Sequence, residues 1–190
     1  MSSAVPPATI RLTGPWTRGD FLLQLYWYAD TNAVPEVRGI RGLARLTRLA
    51  LLLGEELGVK NTIDPYFEFH RTPAGGIASA EVWSELLALR AYQVLAVLPG
   101  DDPMPKEETQ ERSYLLEHHI PMHERGHYPI PAALERDVLT NKGTFFAAKR
   151  EDQTIQRWIA TFKTTAELNR LPLGELTARA LPLVGAHAAR

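Results

Sequence analysis

Four arginines carry the sharpest chemical signal in the chain: Arg38, Arg41, Arg45 and Arg48 recur at i, i+3, i+7 and i+10. At about 100° per residue a helix gathers them within roughly a quarter of its surface, with Leu43, Leu46, Ala50, Leu53 and Leu57 turned to another side. A guanidinium grips phosphate or carboxylate through paired N–H donors. Such a stripe could follow a nucleic-acid backbone or dock an acidic protein; a solvated face paired locally to Glu36 and other acids is the plainer alternative. Arg136 and Lys142 flank Thr140, where an extended stretch gives way to a helix, and a backbone N–H there could meet a phosphate together with Lys142. An ordinary capped helix start explains the same residues.

The second concentration of chemistry is histidine. His119, His123 and His127 stand four residues apart within EHHIPMHERGH, a spacing that on a helix would place imidazoles on one face for a metal. Pro121 and Gly126 interrupt any regular helix there, and no HExxH order is present. The three histidines are therefore weak metal candidates, and an exposed segment that is simply histidine-rich is the stronger reading. Catalytic templates are missing: the chain has no GxxxxGK, no GxGxxG and no serine elbow, and Asp101-Asp102 sits in a Pro-rich stretch without a visible base partner. The expectation is a protein that binds and is not an enzyme, with no cofactor. Trp16, Trp27, Trp83 and Trp158 read as core or interface anchors before they read as stacking platforms.

Composition sets the frame. The 190 residues are 45% hydrophobic and 23% charged, enough apolar material for one core. Lys plus Arg number 21 against 22 Asp plus Glu, so there is no global field toward nucleic acid and any DNA contact has to come from a local patch. The absence of cysteine removes disulfides and thiolate metal sites and agrees with a reducing, cytoplasmic setting. The N-terminus lacks a signal-peptide pattern, and the longest apolar run, Leu49 to Leu53, is far short of a bilayer span of about 20 residues, so no membrane partner is expected.

These residues need elements to position them. Residues 1–15, with Pro6, Pro7, Gly14 and Pro15, suggest a flexible arm. Thr17 or Asp20 can cap a first helix through Phe21, Leu22, Leu25, Tyr26 and Trp27. A second, long helix is expected from near Pro35 to a stop at Gly58. Tyr66 to Arg71 alternates like a half-buried strand, 72–76 is a turn, and Ser79 caps a third helix over AEVWSELLALRA. YQVLAVLP reads as a buried strand, 99–112 as a loop with three prolines, and 137–140 as the return of a ribbon, before C-terminal helices around Phe145 and Phe146, Trp158 and Phe162, and Leu173 to Leu181. The expected fold is mainly α with a small β component: a winged helix-turn-helix over 16–140, including the wing, with a helical extension over 141–190.

Several stretches in this order resemble one family. Arg41-x-Leu43-x-Arg45-Leu46, the aromatic segment Tyr66–His70 leading through Gly75-Gly76 to Ser79, and Leu139-Thr140-Asn141-Lys142-Gly143 are similar to the basic helix, the aromatic stretch and the wing-closing "LTxKG" of small winged-helix proteins of the YwgA-like and Panacea (SocA-type antitoxin) group. That resemblance implies a homodimeric DNA-binding regulator that holds double-stranded DNA through the arginine stripe and the wing, or an antitoxin- or adaptor-type module that binds an acidic protein without DNA. A metal-dependent hydrolase at His118–His127 is a minor third reading. The third helix carries Glu81 and Glu85 with Arg90 as its only base, which disfavours entry into a major groove and shifts any expected contact to the second helix and the wing.

Overall fold

The computed structural model describes residues 15–31, 38–59, 62–63, 66–151 and 156–184. Eight α-helices and two small antiparallel sheets are present among them, so the chain is mainly helical with a minor β component. No helix among the described residues is long and apolar enough to cross a membrane. Most of the expected flexible arm, residues 1–14, lies outside them.

Helix α1 (Arg18–Thr31) opens with a reciprocal cap: Thr17 Oγ1 accepts from the Asp20 N–H at 3.1 Å, and Asp20 Oδ2 accepts from the Thr17 N–H at 2.9 Å. Its apolar residues run nearly all round, and Phe21 through Tyr26 are all buried, because other helices surround it. Strand β1 (Ile40–Arg41) then pairs with β5 before helix α2 (Leu43–Leu57) starts. The expected long helix from Pro35 is thus corrected: residues 32–37 lie outside the described set, and 38–42 are not helical. The reason is local. Gly39 and Gly42 both take positive φ, 86° and 79°, which a right-handed helix cannot accommodate. At the other end Gly58 (φ 62°) stops α2 as expected, its N–H bonding to Glu55 O.

The expected strand at 66–71 is shorter than its pattern. Only β2 (His70–Arg71) pairs, with β3 (Ile77–Ala78), across the Thr72–Gly76 turn. Helix α3 (Ala80–Ala91) matches its predicted span, with Ser79 Oγ accepting from the Val82 N–H. Strand β4 (Leu95–Leu98) pairs with β5 (Arg136–Leu139), giving the sheet order β1-β5-β4. β4 is buried only at Leu95 and grows exposed toward Leu98, not the buried strand its composition suggested. The stretch 99–112 is a loop only to Pro105. Helix α4 (Lys106–His119) begins directly after that proline, with Glu107 and Glu108 in its first turn, where acids favour a helix start. A 3-10 segment (Met122–His127) follows, so the β4–β5 connection carries a helix of its own.

Helices α5 (Asn141–Glu151), α6 (Gln156–Lys163), α7 (Thr165–Arg170) and α8 (Leu173–Val184) complete the chain. They close the same core and do not extend from it. Trp158 and Phe162 of α6 pack with Trp16, and Phe162 stacks on Tyr28 at 5.6 Å between ring centres. α8 covers α2 and β3 through Ala180 and Val184, which meet Leu51 and Ile77. Of the four tryptophans, Trp16, Trp83 and Trp158 are buried.

Candidate anion-binding pocket

The arginine stripe does not exist as one surface. Arg48 is fully buried: Nη1 donates to Glu111 Oε2 at 2.6 Å, Nη2 to Glu111 Oε1, and Nε to Thr177 Oγ1 at 3.0 Å, while Nη1 also reaches Ala44 O and Ile77 O. The expectation that it contacts nucleic acid is therefore corrected. This guanidinium ties α2 to α4, α8 and β3. Burial pushes the Glu111 carboxyl upward, and the two Arg48 bonds and the Ile77 N–H oppose that shift. Next to it Glu108, also buried, accepts from the N–H groups of Leu43 (2.8 Å) and Ala44 (2.6 Å) and from Arg112 Nε (2.7 Å). A carboxylate from α4 thus caps α2, whose own Gly42 has no side chain to do so.

The other arginines gather elsewhere. Arg41 and Arg45 line a cavity of about 220 Å³ together with Arg170, Asn169, Ala166, Ala29 and Gly39. Three elements position them: β1 carries Arg41, the first turn of α2 carries Arg45, and the end of α7 carries Asn169 and Arg170. Arg45 Nη1 donates to Asn169 O (2.7 Å) and Leu171 O (2.8 Å), satisfying carbonyls at the C-terminal end of α7. Burial lowers the Arg45 pKa, and the neighbouring Arg41 guanidinium lowers it further. Arg41, half exposed, pairs with Asp102 at 2.9 Å. Asn169 Nδ2 donates to Gly39 O at 2.9 Å, which fixes the orientation of the amide and leaves its buried Oδ1 with no hydrogen-bond partner among the described residues. Gly39 has a second reason to be glycine: a Cβ there would fall on Asp137 O.

Strand register adds Arg136, which stands directly opposite Arg41 across β1 and β5, a like-charge pairing that a sheet does not favour for stability. Arg38 is exposed just before β1, and both it and Arg136 act electrostatically on Asp30, whose Oδ1 accepts from the Gly39 N–H. Four of the six expected site residues, Arg38, Arg41, Arg45 and Arg136, therefore meet around β1, by tertiary folding and not by helical spacing. Lys142 does not join them. It lies on α5 and donates to Tyr92 O at 2.7 Å. Arg170 and Asn169 gave no signal in the sequence because they reach the pocket from more than 120 residues away in the chain.

The histidines do not converge. His119 ends α4, while His123 and His127 lie on the 3-10 segment beyond Pro121, and all three are exposed. No group of three His, Cys, Asp or Glu residues that could hold a metal occurs among the described residues. Between α3, α4 and residues 127–131 a second cavity of about 210 Å³ is lined by Trp83, Leu86, Arg90, Arg112 and Tyr128 among others. Arg90 is locked there, donating to both oxygens of Asp137 (2.7 and 2.9 Å) and to Glu135 (3.1 Å). No protein family, curated protein or solved structure matches the chain.

Proposed function

We propose that the chain is a binding module of winged-helix type that engages an acidic protein partner, without catalysis and without reading DNA through α3. Three helices followed by a ribbon, with strands in the order β1-β5-β4, support the winged-helix part. The fate of the arginines carries the rest. Arg48 is spent on Glu111 inside the protein, and α3 offers Glu81 and Glu85 while its one base is held by Asp137 and Glu135. A recognition helix laid against phosphates has no use for that arrangement. A compact knot of guanidinium groups around one cavity suits a single acidic group better than it suits a run of phosphates.

A DNA-binding regulator is the second reading, favoured by the grouping of Arg38, Arg41 and Arg136 at β1. Fluorescence anisotropy with labelled duplex DNA at rising salt separates the two. A protein making 6–10 phosphate contacts loses roughly 10³–10⁵ in affinity between 50 and 200 mM salt. The expected result is binding weaker than about 100 μM at physiological salt, at the weak limit of non-specific association, and unaffected by the double substitution Arg38→Glu/Arg41→Glu. A submicromolar complex that collapses with salt and is lost in that variant overturns the protein-partner reading.

A further inference from the structure

We infer that the Arg41–Arg45–Arg170 cavity is a site for one phosphate monoester, the kind of group a phosphorylated side chain presents. This rests on the protein-partner reading above and sharpens it from an acidic partner to a phosphorylated one. Charge comes first. The cavity is lined by Arg41, Arg45 and Arg170, and the charge that acts on the Arg45 guanidinium is that of Arg41, of its own sign. Asp102 offsets Arg41 from the outside, at 66% exposure, where solvent screens it. An anion placed between Arg41 and Arg45 relieves that like-charge repulsion, and guanidinium forks match phosphate oxygens in pairs.

Size and hydrogen bonding narrow the class. A cavity of about 150 Å³ accepts a benzene-sized molecule, so about 220 Å³ takes a phosphate and the first atoms of its ester. The small walls Ala29, Gly39 and Ala166 leave that room. Asn169 decides between anions. Its Nδ2 is committed to Gly39 O, and its Oδ1 is an acceptor still in need of a donor. In its monoanionic form, present up to and around a second pKa of about 6, a phosphate monoester keeps one O–H to donate there, whereas a carboxylate or a phosphodiester of DNA, both fully ionised at neutral pH, has none.

The test is a titration of the full chain, read by the Arg Nε–Hε resonances and by calorimetry, with N-acetyl-O-phosphoserinamide, inorganic phosphate, acetate and a short duplex DNA as separate probes. The expected result is saturable binding of the phosphoserine derivative, at least tenfold tighter than acetate, with shifts on Arg41, Arg45 and Arg170. Arg41→Ser should weaken it about tenfold, and Arg45→Lys should weaken it while keeping the positive charge. Inorganic phosphate binding as tightly as the ester places the free anion in the site and removes the side-chain assignment. DNA binding tighter than the ester overturns both the inference and the protein-partner reading. Equal weak binding of ester and acetate, or an affinity unchanged by both substitutions, overturns the inference alone.

Discussion

Arg45 and Arg48 stand three positions apart on one helix, and the fold uses them in opposite ways. Arg48 points into the junction of α2, α4, α8 and β3 and is fully paired there, while Arg45 opens onto a cavity shared with two further arginines. The difference is one of partners: Glu111 on α4 meets Arg48, and the α7 carbonyls of Asn169 and Leu171 meet Arg45. Charge neutralised by charge becomes structure. Charge held by neutral carbonyls is not cancelled.

The largest effect that follows concerns the buried pair. Arg48→Met leaves Glu111 uncompensated in the interior and should cost about 3–5 kcal/mol, measured as a lowered midpoint in urea. Adding Glu111→Gln removes the stranded charge but keeps an acceptor for the Ile77 N–H, so the double variant should recover most of that loss. If the single variant unfolds no more easily than the parent, the pair is not what joins these elements.

The next effect is smaller. Glu108→Ala uncaps α2 at Leu43 and Ala44 and takes the carboxylate from Arg112, and a loss of about 2–4 kcal/mol is expected by the same measurement. Faster amide exchange should appear first at the start of α2. A change confined to α4 would show that the cap contributes nothing to α2.

How far the sequence announced this contrast follows from the range of the forces. The Ser79 cap and the Gly58 stop are set by neighbours in the chain and are where the pattern places them, and the ribbon expected from YQVLAVLP and 137–140 forms at 95–98 and 136–139. The start of α2 is not, because Arg38 and Arg41 keep helical spacing while Gly39 and Gly42 turn the backbone into β1. α4 was hidden by Pro105, which reads as loop in a proline-rich stretch but stands immediately before the first helical residue. Which arginine is buried depends on Glu111 and Thr177, 63 and 129 residues away, and no periodicity encodes that.

The smallest stability effect belongs to the open side of the comparison. Arg41→Ser removes an exposed pair and should change stability by no more than about 0.5 kcal/mol while weakening ligand binding about tenfold. A loss of stability as large as that of Arg48→Met would make Arg41 structural too.

The most direct measurement is the affinity of N-acetyl-O-phosphoserinamide for the folded Arg48→Met/Glu111→Gln double variant. An affinity within twofold of the parent's is expected, because Arg48 lies outside the cavity formed by Arg41, Arg45 and Arg170. A tenfold loss would return Arg48 to the binding surface and contradict the division of the arginines into one buried brace and one open pocket.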